Sequence, residues 1–152
     1  MRSIITKGAR ETQKFAGELA SRLAGLKPRS AWRKNRALIL ALKGELGAGK
    51  TTFTKGFSKA LGVRERILSP TFVLIHRHKI QKSKFKNLYH IDAYRLKSGK
   101  DLLKLGVKEI FANPENIILI EWADRVRKII PKTALWIRFE HINKNEKKIS
   151  VY

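Results

Sequence analysis

The most specific chemistry in the chain is carried by Gly44-Glu45-Leu46-Gly47-Ala48-Gly49-Lys50-Thr51-Thr52. Gly44, four residues, then Gly49-Lys50-Thr51 is the spacing of a complete phosphate-binding loop. Chance produces it in on the order of one unrelated 150-residue chain in a few hundred. Glycines let such a backbone curl so that successive N–H groups point inward at phosphate oxygens, where side chains would obstruct. Lys50 can place a point charge on the β- and γ-phosphates. The Thr51 hydroxyl can ligate Mg²⁺. A helix starting near Lys50 adds an N-terminus that favours anions.

A phosphate loop also needs a carboxylate, for the metal or for the attacking water. The chain has only 12 acidic residues, so candidates are few. Glu121 follows Ile117-Ile118-Leu119-Ile120. A carboxylate at the carboxyl end of a buried strand sits where open α/β sheets bind ligand. It resembles a Walker B acid with Glu in place of the commoner Asp. Asp92 ends a second run, Leu88-Tyr89-His90-Ile91, and is the other candidate.

These residues work only if the right elements hold them. Ala37-Leu38-Ile39-Leu40-Ala41-Leu42 is a continuous apolar run of strand length, suited to burial on both faces. After the loop, Phe53, Phe57, Ala60 and Leu61 recur at helical spacing, and Gly62 is placed to end the helix. The order strand, loop, helix predicts an α/β domain with a P-loop NTPase-like mixed β-sheet flanked by helices. Elsewhere the pattern predicts a first strand near 2–5 and a helix from about 8 to 24. A strand from 71 to about 80 follows the Ser69-Pro70 break, with a neighbour at 87–91. Short helical turns are expected in 100–111. The alternation of Leu135, Ile137 and Phe139 predicts a half-exposed strand, paired with one near 149–152.

With 152 residues the chain reads as one domain, 1–152. Without cysteine it has no disulfide and no thiol chemistry. Its longest apolar run is far short of a membrane span, and no secretory signal core is evident, which together suggest a cytoplasmic protein without membrane contact. The formal charge of +22 favours nucleic acid or another polyanion as a partner.

Beyond the loop, Ser69-Pro70-Thr71-Phe72, His90-Ile91-Asp92-Ala93-Tyr94-Arg95-Leu96, Leu105-Gly106 and Glu121-Trp122 follow in order and spacing. With these the chain resembles the TsaE family, the ATPase component of bacterial tRNA threonylcarbamoyladenosine biosynthesis, over nearly its whole length. The resemblance implies a small Mg²⁺-dependent ATP hydrolase acting with two partners, the threonylcarbamoyl transferase subunit and its paralogue. By that resemblance the partners would modify an adenosine beside the tRNA anticodon, and ATP hydrolysis would reset the complex. Mapped by motif, Gly47, Ala48, Gly49, Lys50, Thr51 and Thr52 would hold phosphates. Thr51 and Glu121 would hold Mg²⁺. The Thr71 hydroxyl, in a switch-like segment, would face the γ-phosphate. Asp92 would orient or deprotonate the attacking water. Trp122 would lie at the nucleotide or partner-facing surface. Apart from that mapping, the segment near Thr6 to Thr12 is the place where adenine contacts are expected.

Three departures accompany the resemblance. Ala123-Asp124 stands where proline is common, which lets the following helix start earlier and makes Asp124 a possible extra acid. Glu146-Lys147 replaces an expected Gly-Arg, and lysine cannot reproduce a bidentate arginine fork. The chain is also more basic than the family requires. The basic connector 27–36 and basic hairpin 77–86 are candidate tRNA contacts, with Trp32 and Phe85 placed to stack on an unpaired base. Two other functions share the loop: a small-molecule kinase, and a nucleic-acid-binding module in which the loop is vestigial. The first lacks an arginine-rich lid between Asp92 and Glu121, and the intact Gly-Lys-Thr-Thr argues against the second.

Overall fold

The structure is a computed structural model describing residues 2–27, 33–68 and 74–152. Apolar continuity sets its centre. Strand β2 (Leu38–Gly44) and strand β5 (Asn116–Glu121) are the two uninterrupted hydrophobic runs, and both are covered on both faces. They pair in parallel, with Leu38 opposite Ile117 and Leu42 opposite Glu121. Strand β4 (Asn87–Asp92) joins β5 in parallel, and β6 (Leu135–His141) joins the other side of β2. The edges are antiparallel. Strand β3 (Ile75–Lys79) flanks β4, while β7 (Glu146–Val151) and then β1 (Arg2–Lys7) extend beyond β6. Among the described residues the sheet is seven-stranded, ordered β1-β7-β6-β2-β5-β4-β3.

Alternation along each strand divides the core in two. One face packs Leu38, Leu40, Leu42, Leu88, Ile117 and Leu119 beneath helices α1 (Ala9–Ala24) and α2 (Lys50–Ala60). The other packs Ile39, Ala41, Ile91, Ile118 and Ile120 beneath α3 (Gly99–Leu103), α4 (Val107–Ala112) and a 3₁₀ segment (Ala123–Ile129). Helices α1 and α2 touch where Gly56 meets the backbone of Gln13. A Cβ at Gly56 would lie 2.4 Å from the Gln13 carbonyl oxygen, so only glycine permits this approach.

The expected mixed sheet with flanking helices, P-loop NTPase-like in its strand–loop–helix core, is what forms. Several boundaries differ. The first strand runs two residues further, because Ile4, Ile5 and Thr6 pair with β7 rather than ending in a turn. The expected strand from 71 is described only as Ile75–Lys79, and residues 71–73 lie outside the described residues. The last strand starts at Glu146, since the Asn143 side chain closes a tight turn by accepting from the Asn145 and Glu146 N–H groups. No described helix is long and apolar enough to cross a membrane.

Candidate nucleotide-binding site

The loop between β2 and α2 places its residues at the carboxyl end of the parallel strands. Gly49 has φ +103°, a left-handed conformation that an L side chain rarely adopts, and it turns the chain into α2. The first bond inside the helix runs from the Phe53 N–H to the Gly49 carbonyl, 2.8 Å. The N–H groups of Lys50, Thr51 and Thr52 therefore have no acceptor within the helix. The first turn carries no acidic residue to occupy them, whereas α1 carries Glu11 there. Ala48 is buried beneath the loop, and Leu46 projects from its tip with 77 % exposure.

Lys50 is 4 % exposed. Its ammonium donates to the carbonyls of Gly44 (2.6 Å) and Glu45 (2.8 Å), so it lies inside the loop's own curl. Burial pulls its pKa below the ordinary lysine value. The negative charges of Glu121, Asp124 and Asp92 oppose that shift. The Thr51 hydroxyl lies 3.1 and 3.0 Å from the two carboxyl oxygens of Glu121, across 70 residues of sequence. A hydroxyl and a carboxylate are hard oxygen donors of the kind Mg²⁺ takes, so this pair fits a magnesium site in chemistry.

Asp92 stands directly opposite Glu121 in the β4–β5 register. It is 6 % exposed, and its Oδ1 accepts from the Tyr94 N–H at 2.9 Å, which orients the carboxyl plane. His90, two residues earlier and so on the same face, is fully buried with Nε2 2.8 Å from Glu121 Oε1. Trp122 has φ +57° and ψ 38°, a left-handed backbone rarely held by a bulky residue. Such conformations cost on the order of 1–3 kcal/mol and gather at functional sites. Its ring lies 3.9 Å from the Lys50 ammonium and 4.9 Å from the Tyr94 ring, and the Arg125 guanidinium covers both aromatics.

Lys50, Thr51, Asp92, Tyr94, Glu121 and Trp122 line a cleft of about 300 Å³. Trp122 also walls a larger cleft of about 640 Å³, bordered by Lys43, Asp124, Arg138 and His141, which holds none of the helix N-terminal amides.

Of the residues expected from sequence, Gly47, Gly49, Lys50, Thr51, Thr52, Asp92, Glu121 and Trp122 border the smaller cleft together. Thr71 lies outside the described residues, as does Trp32. Thr6 and Thr12 are buried and hydrogen-bonded to each other at 2.9 Å, so their hydroxyls are already engaged. Lys147 contacts His141 Nδ1 at 2.7 Å, and His141 in turn reaches the Leu46 carbonyl, so the substituted position still borders the loop through a relay. Phe85 is corrected: it is 1 % exposed in the core beneath α1, and cannot stack on a base. Arg33 of the basic connector is likewise buried, with its guanidinium 5.2 Å over the Phe85 ring.

Sequence reasoning assigns no role to His90, Tyr94 or Arg125. For His90 the signal is its two-residue spacing from Asp92, which puts both side chains on one face of a strand. Nothing in the spacing of Tyr94 and Arg125 announces their shared contact with Trp122.

Comparison with known proteins agrees over nearly the whole chain. The family model of the threonylcarbamoyl adenosine biosynthesis protein TsaE matches residues 6–149. The tRNA threonylcarbamoyladenosine biosynthesis protein TsaE of Rickettsia felis is 34% identical over 97% of this chain and 78% of its own length. Its namesake in Bacillus subtilis is 37% identical over 74% of this chain and 67% of that protein. In Haemophilus influenzae it is 34% identical over 70% of this chain, a match spanning 65% of that protein. The crystal structure of Bacillus subtilis YdiB superposes with a TM-score of 0.73 at 31% identity, over 99% of this chain and 83% of that one. The chain belongs to the TsaE family.

Proposed function

We propose that the protein binds Mg-ATP in the smaller cleft and hydrolyses it. Hydrolysis supports transfer of a threonylcarbamoyl group to the adenosine beside the tRNA anticodon, in the cytoplasm. It acts there with two partner proteins, the transferase subunit and its paralogue. The observation that carries this reading is the Thr51 hydroxyl within 3.1 Å of both Glu121 oxygens, at the mouth of a helix whose first turn has no acid.

The amides of residues 47–52 bind phosphate oxygens, and the Lys50 ammonium exchanges loop carbonyls for them. Thr51 and Glu121 hold Mg²⁺, which when bound neutralises charge on the terminal phosphates. Asp92, its plane set by Tyr94, receives a proton from or orients the attacking water. Thr71 completes the γ-phosphate side. Trp122, held over Lys50, closes the cleft toward nucleotide or partner. Phosphoryl transfer depends mostly on such positioning and charge stabilisation.

The kinase alternative finds little support. Only α3 and α4 separate β4 from β5, and Leu102, Val107 and Phe111 tie both into the core. tRNA contact is assigned to exposed lysines of the two basic segments, 27–36 and 77–86. Calorimetric titration with ATP, with and without Mg²⁺, followed by phosphate release with partners present, tests the reading. Binding below 100 µM and partner-dependent release are expected, on the order of ordinary enzyme–substrate affinities. Absence of binding would overturn it.

A further inference from the structure

We infer that His90 is a positioning residue for the Glu121 carboxylate, and so governs how well the site uses Mg²⁺. This rests on the reading of Glu121 as a metal-side group. Three observations support it. His90 is fully buried on β4, on the face beneath α2, between Leu88 and Asp92 along the strand and between Leu119 and His76 across it. An apolar side chain would be the ordinary occupant of such a place. The ring's Nε2 lies 2.8 Å from Glu121 Oε1. Its Nδ1 has no hydrogen-bond partner among the described residues, so the ring is not there to satisfy a second polar group.

The geometry defines what the contact does. A carboxylate oxygen accepts, so Nε2 donates. Glu121 is 3 % exposed and thus has little water to orient it. Its Oε1 is shared by His90 and Thr51, and among the described residues its Oε2 is reached by Thr51 alone. If Thr51 turns its lone pairs to a cation, its proton no longer holds either oxygen in the same way. His90 is then the bond that keeps the carboxylate aimed, approaching from the neighbouring strand two residues behind Asp92. Held by strand pairing on both sides, the donor has no freedom to follow a misplaced carboxylate.

The experiment uses the full chain and reads binding. ATP dissociation constants are measured by calorimetry with saturating Mg²⁺ and in EDTA, for wild type, His90→Leu, His90→Gln and Glu121→Gln. The ratio of the two constants is the magnesium gain. His90→Leu is expected to cut that gain about tenfold, the scale of one hydrogen bond to a charged group, with the EDTA value unchanged. His90→Gln, whose amide nitrogen can reach the place of Nε2, restores most of it. A wild-type gain in His90→Leu overturns the inference if Glu121→Gln has lost the gain. If Glu121→Gln also keeps it, the metal-side reading of Glu121 itself fails. Should His90→Leu not fold, His90→Asn replaces it, since its shorter amide reaches only the place of Nδ1. Equal gains in the Asn and Gln variants then overturn the inference.

Discussion

Asp92 and Glu121 face each other across the parallel β4–β5 pair, both buried and on the same face of the sheet, yet with different partners. Glu121 is tied to Thr51 of the phosphate loop and to His90, and Asp92 to the Tyr94 backbone. Two carboxyl groups in register thus point to separate tasks. Asp92→Asn keeps an acceptor for the Tyr94 N–H and should bind Mg-ATP within a few-fold of wild type. Loss of a water-side base should lower hydrolysis in the assembled complex by about 10²- to 10⁴-fold. Glu121→Gln should instead weaken Mg²⁺-dependent binding. Normal turnover by Asp92→Asn with partners present would remove Asp92 from that role.

Lys50 gives a prediction in both affinity and pH. Lys50→Ala removes charge-assisted contacts of about 1.5–3 kcal/mol, so ATP affinity should fall roughly tenfold to a hundredfold. Because burial lowers its folded-state pKa, the unfolded chain binds more protons between that value and the ordinary lysine value. The group's contribution to stability therefore rises with pH through that window, while ATP affinity falls as the ammonium discharges. Thermal melts of the ligand-free protein from neutrality upward should show this component in wild type and lack it in Lys50→Met. Parallel curves would assign the pH dependence to other groups.

Two helix glycines should respond in opposite directions. Gly56→Ala forces a Cβ against the Gln13 backbone at 2.4 Å and should destabilise by about 1–3 kcal/mol. A Cβ at Gly17 meets Ala60 Cβ at an ordinary 3.6 Å, so Gly17→Ala should stabilise by about 0.5–1 kcal/mol. Denaturant midpoints of the two variants check the sign of each effect.

The same contrast shows what was legible in the sequence. Strands β2 and β5 were readable because burial on both faces leaves an unbroken apolar run, and the loop because its chemistry demands fixed types at fixed spacing. The β6–β7 pairing was also expected, but the addition of β1 as the edge strand beside β7 was not, since edge pairing leaves only weak alternation. The His90–Glu121 bond crosses two strands 31 residues apart and has no local signal. Phe85 and Arg33 misled for one reason: each sits in a basic stretch of sequence, while in space they pack against each other. Local charge density does not tell which side chain turns inward.

That correction sharpens the prediction for tRNA. The described basic segments meet at the amino ends of the parallel strands, where 33–37 leads into β2 and 80–86 into β4, and the Ser83 hydroxyl contacts the Ala24 carbonyl. The phosphate loop lies at the other end of β2, seven residues or about 20 Å away. ATP and RNA binding should therefore separate by mutation. Lys82, Lys84 and Lys86 are exposed, although Lys86 is paired with Glu115 at 3.1 Å and should contribute least. If about four phosphates are neutralised, log affinity for tRNA should fall with log salt at a slope of roughly −3 to −4. Changing the three lysines to Gln should flatten that slope and leave ATP affinity unchanged. Arg33→Ala should behave differently. Its guanidinium donates to the Arg36 and Lys27 carbonyls at 2.9 and 2.7 Å, so its loss should lower the melting temperature. A flat salt dependence in wild type, or an unchanged slope in the triple variant, would return these loops to ordinary solvated surface.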